Sequence, residues 1–185
     1  MFNKIISKVM IMVFCCLCLM PVCAVSVALA ADPSVVFFTD FENNKVGELP
    51  EGWVGVGKVV TDKAYSGKIS LFTEDKTTTE YGELILPAFA AKPNAIYEVS
   101  AASIVTDVNT VGSLAIYVAE KDKDGKVVQW FKVFMEKTDY WTETYKQITV
   151  SDKAAFLELY IYAACNGKAG TGDAWIDDLK VTQVQ

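Results

Sequence analysis

Gly172-Asp173-Ala174-Trp175-Ile176-Asp177-Asp178-Leu179-Lys180-Val181 is the stretch from which the fold is read. Trp175, Leu179 and Val181 recur with a period of two, the spacing of side chains on one face of a β-strand. They define the inward row of a closing strand. Asp177 falls in that same row, and a carboxylate aimed at a core is costly unless something pairs with it. The chain holds no His and no Arg, so the compensating cation is either a lysine or a metal ion.

Working outward, the rest of the chain reads as β throughout. Val35 to Phe38 opens it, and Phe41-Glu42 leads into a turn-rich run through Gly47, Pro50 and Gly52. Trp53 to Val60, Lys68 to Thr73, Gly82 to Leu86 and Ile96 to Val105 follow as strands. Leu114 to Glu120 and Val127 to Met135 flank Lys121-Asp122-Lys123-Asp124-Gly125-Lys126, a hairpin connection by composition. Tyr145 to Val150, Phe156 to Ala163 and Ala174 to Thr182 complete the series. No segment carries a helical stripe of useful length. Short strands joined by Gly, Asp, Asn and Pro turns predict an all-β, two-sheet antiparallel β-sandwich, a jelly roll.

Residues 1–30 are set apart from that fold. Lys4 and Lys8 precede an apolar run from Val9 to Val27, and Ala28-Leu29-Ala30 places small residues at the −3 and −1 positions of a signal-peptidase site. The run is also long enough to span a bilayer, but Pro21 interrupts it and the Ala-x-Ala site ends it. Export with cleavage is the reading, leaving residues 31–185 as one module that is secreted, extracellular or periplasmic and free of the membrane. Four of the five cysteines leave with the leader; Cys165 alone cannot form an internal disulfide and follows an apolar row into a buried position. Without Lys4 and Lys8, 15 lysines face 23 acids, a net charge of −8. Such a surface repels phosphate backbones, so nucleic acid is not an expected partner.

A family resemblance emerges from the order of several pieces. Asp40-Phe41-Glu42 and Gly52-Trp53 come first, then Tyr65-Ser66-Gly67-Lys68-Ile69-Ser70-Leu71 and Tyr97-Glu98-Val99-Ser100. Trp141 ahead of Tyr145, Ile148-Thr149-Val150, Leu159-Tyr160-Ile161 and Trp175-Ile176-Asp177-Asp178-Leu179 complete it. Together these resemble the xylan- and glucan-binding modules of the galactose-binding-domain-like jelly-roll superfamily, over nearly the whole mature chain. The resemblance implies a structural calcium where the first and last strands meet. Mapped onto this chain, Glu42 and Asp177 would supply carboxylates, with backbone oxygens near Asp40 and in the Ser66-Gly67-Lys68 turn, a donor set suited to a hard cation. The alternative is that both acids cap turns or pair with Lys68 or Lys180.

Strand parity marks a possible ligand surface. Phe156 to Ala163 puts Leu157, Leu159, Ile161 and Ala163 on one side and Glu158, Tyr160 and Tyr162 on the other. Leu114 to Glu120 separates Leu114, Ile116 and Val118 from Tyr117, and Val127 to Met135 separates Phe131, Val133 and Met135 from Trp130 and Lys132. If these strands are neighbours, Tyr117, Trp130, Lys132, Glu158, Tyr160 and Tyr162 tile one sheet face. Sugars present an apolar C–H face and a hydroxyl edge, which suit aromatic planes beside a few hydrogen-bonding groups. Trp53, Trp141 and Trp175 read instead as core or scaffold.

Catalysis has little support. Without His the usual nucleophile–base pairs and zinc clusters are missing, and Asp177 and Asp178, adjacent on a strand, face opposite ways and cannot form a glycosidase pair. The Asp122-Lys123-Asp124-Gly125 string lacks the later acids of an EF-hand, and Gly167-Lys168 lacks P-loop spacing. The expectation is a non-catalytic protein binding a poly- or oligosaccharide. The alternative is a cell-surface structural or adhesion module whose sheet face docks another protein.

Overall fold

Apolar side chains two residues apart bury one face of each strand, and two such faces close on each other. The computed structural model describes residues 34–106, 114–163 and 170–185. The leader segment 1–30, Cys165 and the Gly167-Lys168 pair lie outside the described residues.

One sheet, sheet A, contains β1 (Val35–Thr39), β3 (Lys58–Val60), β4 (Ser70–Asp75), β7 (Ile96–Thr106), β10 (Thr138–Thr149) and β12 (Gly172–Gln183). Its order is β10-β7-β12-β4-β3, with β1 also paired to β12. The other, sheet B, contains β2 (Val54–Gly55), β5 (Glu83–Ile85), β6 (Phe89–Ala90), β8 (Leu114–Lys121), β9 (Val127–Met135) and β11 (Phe156–Tyr162). Its order is β2-β5-β11-β8-β9, with β6 also on β11. All the pairings are antiparallel. This is the two-sheet jelly roll the strand pattern predicts. Leu71, Val99, Ile176, Leu179 and Val181 from sheet A meet Leu84, Ile116, Val118, Leu157, Leu159 and Ile161 from sheet B in a core where each is fully covered.

The closing strand β12 is central to sheet A. Its first half lies between β4 and β7, with Trp175 opposite Phe72 and Ile104, and its second half lies between β1 and β7. Here the structure corrects the single inward row expected for Trp175, Asp177, Leu179 and Val181. Ile176 and Leu179 both belong to the core, so two residues separate neighbouring inward positions. The register against β7 slips between Asp177 and Lys180, and Asp178 takes a left-handed φ of 47°. This bulge reverses the strand's parity. Ala174 and Ile176 point inward before it, Leu179 and Val181 after it. Trp175 and Asp177 lie on the outer side of the sheet. Asp177 is fully covered, by the turn around Tyr65 and Ser66 rather than by the core.

Trp53 to Val60 also differs from one continuous strand. β2 pairs with β5 in sheet B and β3 with β4 in sheet A, so the chain changes sheets between them. Gly55 makes the crossing with φ 126°, and a Cβ there would sit 2.1 Å from the Glu83 carbonyl oxygen. β10 begins at Thr138, seven residues before Tyr145, because an irregularity between Thr138 and Thr142 hides the alternation. The Lys121–Lys126 connection is a tight solvated turn, with Asp122 Oδ1 accepting the Asp124 and Lys126 N–H groups.

Candidate functional site

The outer face of sheet B is built by three adjacent strands. Leu157, Leu159 and Ile161 in β11, and Leu114, Ile116 and Val118 in β8, spend their apolar area inward. The alternate residues therefore face out. Tyr160 lies opposite Tyr117 across the β11–β8 ladder, Tyr117 opposite Lys132 across β8–β9, and Ala119 between Glu158 and Trp130. All six residues expected on this wall, Tyr117, Trp130, Lys132, Glu158, Tyr160 and Tyr162, share the one face.

The rings form a continuous row. Centroids are 6.4 Å apart from Trp130 to Tyr117, 5.4 Å from Tyr117 to Tyr162, and 5.7 Å from Tyr162 to Tyr81. Tyr160 adds a fifth ring, 5.1 Å from Trp130. Each contact is edge-to-face, the arrangement that aromatic quadrupoles favour. Ala115 and Ala119 form the floor and are completely covered, while Trp130 is 49 % exposed. The rings close over these small residues, so the outward surface is a shallow aromatic furrow rather than an open cleft.

Polar groups along the furrow are positioned by one another. Glu158 accepts from the Tyr160 hydroxyl and pairs with Lys121. Glu83 accepts from the Tyr162 hydroxyl at 3.1 Å. The Lys132 ammonium stands 4.9 Å from the Tyr117 ring centroid, a cation–π placement. Partial burial, reinforced by the Glu158 hydrogen bond and charge, raises the Tyr160 phenol to about 12. The phenol therefore remains a donor across the neutral range. Tyr81, Glu83 and Lys121 were not identified from the sequence. Parity on Gly82 to Leu86 puts Glu83 outside, but nothing local says that this strand lies beside β11.

Of the second expected group, Glu42 and Asp177 reach the turn that holds Ser66 and Lys68, while Asp40 bonds the Glu42 backbone. Phe41, at φ 60°, buries its ring against Trp53 and sends Glu42 toward residues 65–69. Glu42 Oε1 accepts the Lys68 and Ile69 N–H groups, each at 2.7 Å. Asp177 Oδ2 accepts those of Tyr65 and Ser66 at 2.9 and 3.1 Å, and Oδ1 that of Asp178 at 2.8 Å. Asp40 Oδ1 accepts the Glu42 N–H at 3.1 Å. Among the described residues no lysine forms an ion pair with Asp177. Backbone amides do the compensating. Burial still raises the Asp177 carboxyl above the usual carboxylate range, against the lowering influence of those three N–H groups. No group of three or more Asp, Glu, Cys or His side chains in metal-binding arrangement occurs among the described residues.

Of the remaining tryptophans, Trp53 packs on the core beside Phe37 and Phe41, and Trp141 lies tilted against Tyr65, with ring centroids 5.8 Å apart. Trp175 is buried on the outer side of sheet A against Phe72.

Comparison with solved structures returns jelly-roll modules. The chain is similar to the CBM22-1 xylan-binding domain of Xyn10C from Paenibacillus barcinonensis, with 20 % identity over 82 % of this chain and 95 % of that one, at a TM-score of 0.61. It is similar to a xylan-binding domain from CBM 22 at 16 % identity, covering 82 % and 96 %, TM-score 0.56. The C-terminal family 22 module of Clostridium thermocellum Xyn10B gives 17 % identity, 81 % and 93 % coverage, and a TM-score of 0.53. At such identities the likeness establishes the fold. A sequence comparison with curated proteins returns no significant match. The family profile described as a carbohydrate binding domain matches residues 34–169, which span β1 through β11 and every residue of the aromatic furrow. The chain belongs to the carbohydrate-binding domain family.

Proposed function

We propose that the protein is a secreted, non-catalytic carbohydrate-binding protein that holds a neutral poly- or oligosaccharide in the furrow on the outer face of sheet B. The observation that carries this reading is the row Trp130–Tyr117–Tyr162–Tyr81, whose steps of 5.4 to 6.4 Å are comparable with the length of a pyranose ring. An extended chain of sugars laid along the row meets one ring per residue, with Glu83, Glu158 and Lys132 beside it as hydroxyl partners. The charges on the wall are largely tied up internally, Glu158 by Lys121 and Tyr160, which suits an uncharged polymer. The same ties argue against acid–base chemistry: both wall acids act as fixed acceptors. Two of the similar modules are named for xylan binding, so a β-linked xylan is the first ligand to try.

The reading includes a structural calcium held by Glu42, Asp177 and oxygens near Asp40, Ser66 and Lys68. Its support is the convergence of two distant acids on the 65–69 turn, with no lysine among the described residues pairing to Asp177. A bound cation there would stabilise a charge that burial penalises.

Affinity electrophoresis through gels containing xylan, mixed-linkage glucan or galactan tests the binding. Retardation by at least one neutral polysaccharide, abolished by Trp130→Ala, is the expected result. Unretarded migration in every gel overturns the proposal.

A further inference from the structure

The outer side of sheet A carries a feature that the aromatic furrow leaves unused. Because the Asp177–Asp178 bulge reverses the parity of β12, Trp175 is turned away from the core and lies 4.9 Å from the Phe72 ring. Its indole Nε1–H donates to Asp62 Oδ1 at 3.3 Å, and the Lys63 ammonium stands 3.3 Å from the ring centroid. Beside this pair opens a cavity of about 460 Å³, floored by Phe72 and Trp175 and walled by Val46, Lys58, Asp62 and Asp173. The Lys58 ammonium sits 5.9 Å above the Phe72 ring. Phe72 is only partly buried, and Lys58 and Asp62 are exposed.

We propose that this cavity is a second saccharide subsite, taking one or two units of a neutral sugar, on the sheet opposite the furrow. Its size lies within the roughly 300–1,000 Å³ range of small-molecule sites. The floor is aromatic and apolar. The rim offers the Lys58 ammonium and, over the Trp175 ring, that of Lys63, together with the carboxylates of Asp62 and Asp173. A pyranose matches both, setting C–H groups on Phe72 and hydroxyls between Lys58 and Asp62. A bare anion gains no net attraction where two ammonium groups are set against two carboxylates, and a purely aliphatic ligand strands the polar rim against apolar surface. Neither fits. With sites on both sheets, a single chain joins two polysaccharide strands rather than decorating one.

The site is independent of the furrow, and the test separates them. In the full mature chain carrying Trp130→Ala, the Trp175 indole N–H and the Val59 and Val60 amides are followed by NMR during titration with xylotriose, cellotriose and β-1,4-galactotriose. At least one trisaccharide is expected to move these signals saturably at millimolar concentration. Lys58→Met, which removes a rim donor from an exposed side chain, should weaken that binding about fivefold or more, a loss of about 1 kcal/mol. In the parent chain, calorimetry with the same sugar should return two sites. Signals that stay still with all three sugars overturn the subsite, whatever the furrow does. Movement by glucuronate or glucosamine alone overturns the neutral-sugar assignment. An unchanged affinity in Lys58→Met overturns the placement.

Discussion

Replacing Trp130 by Ala removes one of the two most exposed rings of the furrow, and the structure sets the size of the effect. The side chain is 49 % exposed, so of the ~200 Å² such a ring can bury about 100 Å² remains for a sugar to cover. At ~25 cal/mol per Å², covering it contributes about 2.5 kcal/mol, roughly 60-fold in Kd. The cost to folding is of comparable size, from the contacts of Trp130 with Tyr117 and Tyr160, but it falls outside the core. Losing those edge-to-face contacts removes about 0.5–1.5 kcal/mol apiece, and the core residues of β8, β9 and β11 are untouched. Isothermal titration with the best polysaccharide from the gels reads the affinity; a thermal melt reads the fold. A folded Trp130→Ala protein with a Kd within about twofold of the parent refutes the reasoning.

Four other outcomes follow. Asp177→Asn leaves one oxygen where three backbone N–H groups converge, stranding at least one buried donor and costing ~1–3 kcal/mol in urea unfolding. Equal stability would show that the clamp on the 65–69 turn carries no weight. Because burial raises the Asp177 carboxyl, the folded state holds that proton more tightly than the unfolded chain; this group favours folding at acid pH, and its contribution declines as pH rises through the raised value. Stability measured from pH 4 to pH 7 should lose in Asp177→Asn the part of its slope due to this group. Tyr160 is neutral up to about 12 in the fold against about 10 unfolded, so its contribution is complete below about pH 10 and is lost as pH rises through about 12. Spectrophotometric titration should find one late-ionising tyrosine missing from Tyr160→Phe; a parent phenol titrating near 10 contradicts this. Chelator added to protein prepared with calcium should lower the melting temperature by several degrees, and identical melts dismiss a stabilising metal.

Where an alternating stretch had one face to bury, its side chains could be assigned from the sequence alone. Leu157-Glu158-Leu159-Tyr160-Ile161-Tyr162 divides cleanly because three aliphatics must leave water together and the strand has no irregularity. The same logic failed at Asp177, since a bulge changes parity without changing the apolar pattern: Trp175 and Leu179 appear in phase, yet face opposite sides of sheet A. What fixes the bulge is tertiary, the Tyr65 and Ser66 amides arriving from more than a hundred residues away. Tyr81 and Glu83 escaped for a related reason. Their place beside Tyr162 depends on strand order, which local periodicity does not encode. The change of sheet at Gly55 depends on the approach of the Glu83 carbonyl, again a distant partner.

The central claim is that a sugar chain lies on the rings of sheet B. Intermolecular NOEs between a bound xylohexaose, or the preferred oligosaccharide from the gels, and the aromatic side chains test it most directly. Contacts from successive sugar units to Trp130, Tyr117, Tyr162 and Tyr81, in that order or its reverse, are the predicted result. A saturated complex whose NOEs avoid those four rings contradicts it.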